Sequence, residues 1–289
     1  MPSLNYASPT TVNEAVSLLA GAPGLAKVLS GGTDLLVQLR SGRVRPELIV
    51  DTKRLPGIIG IREENGGFVI GAATPGAMLE AHEGLKRVYP GVVEAMDLIG
   101  SQQVQGRASL AGNLCNASPA ADSVPAMIAA GAVAVVAGPD GRREVPVERI
   151  PTGPGRTSLA RGELVLEFRL PPRPARASDA YLRFIPRTEM DIAVVGCGVS
   201  VALNAQGVCT QARVSLGAVA PVPLLVPAGA EALVGSRLDD AALARLDAAA
   251  QAACQPITDK RGTIEYRTKV AGVLARRAAA VAFQRAQGR

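Results

Sequence analysis

The stretch KVLSGGTDLL, residues 27–36, sets the fold of the first part of the chain. Lys27 to Ser30 is a short apolar run that predicts a β-strand, and Leu35 to Leu39 predicts a helix. Gly31-Gly32 between them predicts a tight turn, because glycine readily adopts positive φ angles. Successive N–H groups of such a turn point into one concavity that suits an anion, and Thr33 adds a hydroxyl donor. The stretch therefore predicts a strand, a turn and a helix, and the turn is either a phosphate site or purely structural.

A second loop, SLAGNL at residues 109–114, offers the same chemistry. Gly112 allows a close approach of the backbone, and Ser109 and Asn113 offer a hydroxyl and an amide. A carboxylate follows at Asp122. Two such loops suggest a ligand with a diphosphate, held in a cleft between domains. The GCG run at 196–198 lies in an apolar, β-rich segment with no third glycine and no helix, so we interpret it as structural.

Proline and glycine divide the chain into three predicted domains. Residues 1–56 form a small α/β unit that ends at Pro56, residues 57–174 form a second unit that ends in the stiff linker PPRP, and residues 175–289 form an α+β domain of three strands followed by helices. The predicted strands are residues 27–30, 48–50, 68–72, 132–137, 143–147, 164–170, 181–185, 192–204 and 212–218, and the predicted helices include 35–39, 90–99, 240–253 and 264–284.

Composition argues against several classes of protein. A chain of 289 residues with 48% hydrophobic and 19% charged residues can bury a large core, which excludes a disordered protein. Four cysteines without a CxxC pair and the single His82 supply neither a metal site nor a catalytic triad. The charge of +6 is scattered and aromatic residues are 3%, which argues against nucleic-acid binding. No apolar run is long enough for a transmembrane segment, and the first residues lack a secretory signal, so we expect a cytoplasmic protein.

The two glycine loops and two further segments carry a resemblance to a known family. Residues 27–36, 99–101, 109–122 and 187–193 resemble the FAD-binding medium subunit of the molybdenum hydroxylases, the group of xanthine dehydrogenase and aerobic carbon monoxide dehydrogenase. The resemblance extends over essentially the whole chain. It implies an α+β fold, with two subdomains of the vanillyl-alcohol-oxidase (PCMH) type that hold FAD between them, followed by a C-terminal α+β domain of the carbon monoxide dehydrogenase flavoprotein type.

The resemblance also implies which residues contact the cofactor. By it, the first loop wraps the diphosphate, the turn at 99–100 lines the flavin, and the second loop completes the site. The implied cofactor-binding residues are Lys27, Val28, Leu29, Ser30, Gly31, Gly32, Thr33, Asp34, Leu35, Ile99, Gly100, Ser109, Gly112, Asn113, Asp122, Val165 and Arg183. Two positions depart from the family pattern: Ala111 replaces the first glycine of a pair, and Arg183 stands where some relatives have lysine, which keeps the charge and changes its geometry.

The function implied by the resemblance is electron transfer without a catalytic side chain. Noncovalent FAD would accept electrons from the 2Fe–2S clusters of a small partner subunit and pass them to an external acceptor, while a large partner subunit would hold molybdopterin; the assembly would be a dimer of heterotrimers. Arg40, Arg43 and Arg45 form either a solvated turn or a contact with an acidic partner. Two alternatives stay open: a stand-alone flavin-dependent reductase of the same fold, and a scaffold subunit without catalysis.

Overall fold

Three β-sheets and one short hairpin organise the chain in the computed structural model, which describes residues 4–288. The first sheet is parallel, and its strands lie in the order β1-β3-β2. Its elements are β1 (Asn5–Ala7), α1 (Val12–Gly21), β2 (Ala26–Leu29), α2 (Leu35–Arg40) and β3 (Leu48–Asp51). Helix α1 begins where Thr11 Oγ1 accepts the N–H of Glu14, and it buries Ala15, Val16 and Leu19.

The second sheet is antiparallel and has the strand order β4-β5-β10-β6-β7. A series of helices connects β5 to β6, β4–β5 and β6–β7 are hairpins, and the hairpin β8–β9 precedes the central strand β10. Its elements are β4 (Ile61–Glu64), β5 (Gly67–Gly71), α3 (Gly76–Glu80), α4 (Glu83–Val88), α5 (Pro90–Asp97), α6 (Gln102–Gln105), α7 (Leu110–Cys115), α8 (Ser123–Ala130), β6 (Val133–Gly138), β7 (Gly141–Pro146), β8 (Pro151–Gly153), β9 (Arg156–Thr157) and β10 (Leu164–Leu170).

The third sheet is antiparallel in the order β11-β12-β13-β14. The long α11 covers β11 and β12 with a face of buried alanines, and these small side chains let the helix approach the sheet closely. The elements of this region are β11 (Ala177–Phe184), β12 (Val195–Leu203), β13 (Cys209–Gly217), β14 (Leu224–Leu225), α9 (Pro227–Leu233), α10 (Asp240–Ala252) and α11 (Ile264–Gln287). No helix of residues 4–288 has both the length and the apolar character needed to cross a bilayer.

Both expected domain limits lie in connections between strands. Pro56 lies in the connection between β3 and β4, and the PPRP run comes directly after β10. The limits at 56/57 and 174/175 stay predictions. The sequence did not predict β1, β4, β8, β9, β14, α6, α7 or α9. His82 precedes α4 and caps it, since its Nδ1 accepts the N–H of Leu85 at 3.0 Å.

The linker after β10 is held in place by Arg173. The Arg173 guanidinium lies 4.0 Å over the ring of Tyr89 and forms an ion pair with Asp179 at 3.1 Å. It also donates to the carbonyl of Val88 at 3.0 Å. The side chains of Arg173 and Asp179 are 9% and 2% exposed, so the pair is buried at the start of the third sheet. One arginine thus connects the linker to the regions before and after it.

We expect Arg173→Met to lower the free energy of unfolding by about 3 kcal/mol, because it leaves Asp179 buried without its cation. Urea unfolding followed by circular dichroism measures this. The matched control is Arg62→Met, whose arginine pairs with Glu64 and Glu167 but is 48% exposed, and which should cost less than about 1 kcal/mol. Equal losses for both variants would contradict a special role for the buried pair.

Candidate functional site

A cleft of about 490 Å³ opens between the first sheet and the second. The first glycine loop, the second glycine loop and the segment that leads into β10 form its three walls. Of the predicted cofactor residues, thirteen lie in these walls: Lys27, Val28, Ser30, Gly31, Gly32, Thr33, Asp34, Leu35, Ile99, Ser109, Gly112, Asn113 and Val165. The structure therefore brings both predicted loops to one cavity.

The two glycines of the first loop have different structural roles. Gly32 has φ +82°, a left-handed conformation that a side chain would strain. Gly31 lies against the neighbouring loop, and a Cβ there would come within 1.9 Å of the carbonyl oxygen of Arg107. The sequence interpretation assigned both glycines the role of turning the chain. The structure limits that role to Gly32 and shows that Gly31 permits the close packing of two segments.

Polar side chains join the two loops across the cleft. Ser30 Oγ and Ser109 Oγ are 2.8 Å apart, and Gln38 Nε2 donates to Asn116 Oδ1 at 2.9 Å. Lys53 supports the first loop from behind, where its Nζ donates to the carbonyl of Ser30 at 3.3 Å. The distance between the loops is therefore fixed by hydrogen bonds as well as by the packing of Gly31.

The Lys53 ammonium is itself paired with a buried carboxylate. Its Nζ lies 2.7 Å from Asp51 Oδ1, and the phenol of Tyr6 donates to Asp51 Oδ2 at 2.7 Å. Burial works to raise the pKa of Asp51, but the hydrogen bonds from Lys53 and Tyr6 and the charge of Lys53 together outweigh it, and the pKa lies below its usual value. Asp51 thus stays ionised and keeps Lys53 directed toward the loop.

The structure corrects the second loop: five of its six residues, 110–114, lie in α7, which Ser109 caps by accepting the N–H of Gly112 at 3.2 Å. A Cβ at Gly112 would come within 3.2 Å of the same Ser109 Oγ. Asn113 Oδ1 accepts from the hydroxyl of Ser123 at 2.8 Å, which ties the loop to α8. Ala111, which departs from the family pattern, lines the cleft and packs into the core within α7. Its methyl group therefore fits this backbone.

The third wall contains residues that the sequence did not indicate. Besides the predicted Val165 it includes Thr157, Leu159, Ala160, Arg161, Gly162, Glu163 and Leu164. Arg161 donates to the carbonyl of Ala22, which connects this wall to the end of α1. The one sequence signal here is Gly162, which has φ +88°. A lone glycine between charged residues is too common a pattern to mark a binding wall.

Four predicted residues do not line the cleft: Leu29, Gly100, Asp122 and Arg183. Leu29 ends β2, and Gly100, at φ +64°, comes directly after Ile99. Asp122 and Arg183 form an ion pair at 2.9 Å, and the Arg183 side chain is 4% exposed. Burial raises the pKa of Asp122 to about 6, and Arg183 opposes that shift. Their contact with a cofactor stays a prediction.

Cys115 is the one cysteine among the residues that line the cleft, and its thiol is poorly suited to act as a nucleophile. Burial raises the pKa of the Cys115 thiol to about 12, so little reactive thiolate forms near neutral pH. His82 is occupied in capping α4. Among residues 4–288 no three His, Cys, Asp or Glu side chains are grouped so that they could hold a metal ion.

The walls match a large ligand with a charged centre and flat, apolar parts. Gly31 and Gly32 place no side chain between an anion and the backbone N–H groups of the loop, and a Cβ would collide with the Arg107 carbonyl oxygen at Gly31 and would be strained at Gly32. Apolar side chains such as Leu25, Ile99 and Leu159 lie along the same cleft. The residues therefore fit FAD, whose diphosphate would lie at the two loops.

Comparison with known protein families matches two regions of the chain to two known domains. Residues 2–173 match the FAD binding domain in molybdopterin dehydrogenase, and residues 180–282 match the CO dehydrogenase flavoprotein C-terminal domain. The chain is 34% identical to the carbon monoxide dehydrogenase medium chain of Hydrogenophaga pseudoflava over 98% of both chains. It is also 34% identical to the xanthine dehydrogenase FAD-binding subunit of Escherichia coli O157:H7, over 76% of this chain and 75% of that one.

Solved structures show the same relationship. The reconstituted CO dehydrogenase from Oligotropha carboxidovorans superposes with a TM-score of 0.94 and 34% identity over 99% of both chains. Quinoline 2-oxidoreductase from Pseudomonas putida 86 shares the fold with a TM-score of 0.89. The family resemblance and the fold expected from the sequence are thus confirmed. The chain belongs to the family of FAD-binding medium subunits of the molybdenum hydroxylases and is an oxidoreductase component.

Proposed function

We propose that this chain binds FAD noncovalently in the cleft and relays electrons from a 2Fe–2S cluster of a small partner subunit to an external acceptor. A large partner subunit would hold molybdopterin and oxidise the substrate. The observation that carries the proposal is the pairing of the two glycine loops across one cleft in a chain of this family. The assembly as a dimer of heterotrimers and the cytoplasmic location stay predictions.

The chain's own residues would bind and orient the cofactor. The first loop would offer N–H groups to the diphosphate, with Gly32 supplying the required backbone angle. The Ile99 turn would contact the flavin, as the family resemblance implies. Bound FAD would supply the redox chemistry, because its flavin ring stores two electrons and releases them singly or as a pair. No side chain of the cleft has to act as an acid, a base or a nucleophile.

Noncovalent binding is supported by the state of Cys115 and His82. The Cys115 thiol is buried with a raised pKa, and the His82 ring accepts a hydrogen bond from Leu85 and packs edge-on against Phe68. Neither group is both reactive and placed at the cleft. We therefore propose that the loops and walls alone retain FAD.

We expect Gly32→Val to weaken FAD binding at least about tenfold, since a left-handed backbone costs a side chain about 1–2 kcal/mol and the valine would crowd Leu29 and Leu36. FAD titration of the apoprotein, and assay of flavin released into the supernatant by acid precipitation, measure this. Gly207→Val is the matched control: Gly207 has φ +75°, with open space around it and no place in the cleft. Equal losses of flavin would mean that Gly32 serves stability alone.

The relay itself predicts that flavin reduction requires the partners. In the co-purified complex, anaerobic addition of carbon monoxide, an aldehyde or an N-heterocycle should bleach the flavin band for the class that is the substrate, because electrons then have a path through the clusters. The isolated FAD-loaded chain should stay yellow with the same compound. Direct reduction of the isolated chain at a comparable rate would instead support the stand-alone reductase, and a colourless chain would support the scaffold.

Helix α2 supplies a surface for such a partner. None of its six residues is buried, and Leu36 and Val37 are 45% and 62% exposed. Leu35 and Gln38 line the cleft, so the other face of α2 lies at its mouth. Arg40, Arg43 and Arg45 are exposed and pair with no carboxylate of residues 4–288. We call Leu36, Val37 and these three arginines the α2 surface, and its charge suits an acidic partner.

Reversing the three α2 charges should weaken the complex without removing FAD. We expect Arg40→Glu, Arg43→Glu and Arg45→Glu together to lower partner affinity at least about tenfold, because like charges would then face each other. Co-purification with tagged partners and FAD content measure the two effects. A control with Arg142, Arg237 and Arg277 changed to Glu reverses three exposed charges elsewhere and should leave affinity unchanged. The same loss in both would contradict docking at α2.

A further inference from the structure

Two side chains of strand β11 form hydrogen bonds with the backbone at the two ends of helix α5. Asp179 Oδ1 accepts the N–H of Gly91 in the first turn of α5 at 3.0 Å, and Arg183 Nη1 donates to the carbonyl of Leu98, just past its last turn, at 2.8 Å. Positions 179 and 183 share one face of the strand because side chains alternate with a period of two. The signs of the two charges also match the helix dipole, which favours an anion at the start and a cation at the end.

Arg183, which binds the end of α5, is buried and also forms an ion pair with Asp122. Arg183 Nη1 is also 2.9 Å from Asp122 Oδ2, and the phenol of Tyr181 donates to Asp122 Oδ1 at 3.0 Å. Carbonyls in the last turn of a helix have no partner within the helix, so a side-chain donor is needed there. Gln105 provides another, since its Nε2 donates to the carbonyl of Asp97 at 2.5 Å.

The residue after Leu98 belongs to a wall of the cleft. Ile99 lines the cavity, and Gly100, with φ +64°, turns the chain toward α6. The Leu98 carbonyl belongs to the peptide group that joins Leu98 to Ile99. Fixing that oxygen therefore fixes the orientation of the peptide plane from which the Ile99 side chain projects.

We propose that Arg183 is a positioning residue, which holds Ile99 in the cleft wall through the Leu98 carbonyl. One guanidinium nitrogen, Nη1, donates both to that carbonyl and to Asp122 Oδ2. Asp122 is buried, so leaving it without this cation would be costly, and the ion pair keeps Nη1 at the Leu98 carbonyl. Through this arginine the C-terminal domain shapes the cofactor site. The identity of the ligand rests on the proposed function.

The test compares Arg183→Met with Arg183→Lys in the full chain. In the apoprotein, amide hydrogen exchange of the peptide covering residues 97–102 should become about tenfold faster in Arg183→Met, because the carbonyl loses its donor. The Kd for FAD should rise about tenfold as the wall loosens. Arg183→Lys should restore most of both, since an ammonium can donate to the same two oxygens. Arg245→Met removes an arginine that donates to the carbonyl of Ala232 in the C-terminal domain, and it should change neither.

Each outcome decides the role of Arg183. A weaker Kd with unchanged exchange at 97–102 would mean direct contact with FAD and overturn the proposal, as would no change in either. If Arg183→Met fails to fold, Asp122→Asn removes the charge while keeping the shape, and it should accelerate exchange in the same peptide; unchanged exchange there overturns the proposal. If the wild-type chain binds no FAD, the proposed function fails, while exchange in the apoprotein still tests the Arg183 contact.

Discussion

The cofactor cleft depends on one close contact, that of Gly31 with the backbone at Arg107. The two glycine loops come from different sheets, and no covalent or helical connection forces them together. They meet because Gly31 lacks a side chain, so the carbonyl oxygen of Arg107 can lie where a Cβ would be. The Ser30–Ser109 hydrogen bond and the Gln38–Asn116 hydrogen bond then hold the approach. A side chain at position 31 would separate the walls before any ligand arrived.

The same arrangement of an ion pair and a backbone carbonyl stabilises the cleft on two sides. Behind the first loop, Asp51 pairs with Lys53, and Lys53 donates to the carbonyl of Ser30. Behind the Ile99 turn, Asp122 pairs with Arg183, and Arg183 donates to the carbonyl of Leu98. In both cases a carboxylate holds a cation in place, and the cation donates to a main-chain oxygen. Each of these two turns is therefore fixed through its backbone.

The sequence predicted the parts of this structure that depend on local patterns. The strand before Gly31 and the two long C-terminal helices are determined by residues close in the chain. Strand β4 was missed because its sequence, IREE, is that of an exposed edge strand with no apolar alternation. The two loops could be found because glycine, serine and asparagine mark them. The third wall could not, since it presents common residue types along an irregular segment.

Contacts between residues that are distant in the sequence account for what the sequence analysis could not predict. Nothing near Gly31 in the sequence indicates that its neighbour is Arg107, so its packing role needed the structure. The resemblance implies that Arg183 contacts the cofactor, and the structure adds that its Nη1 donates to Asp122 and to the Leu98 carbonyl. Family motifs mark residues that matter to a site without distinguishing contact from support. Lys53 and Arg183 both direct their charge at carbonyl oxygens, so each fixes the direction of a backbone segment at the cleft before any ligand arrives.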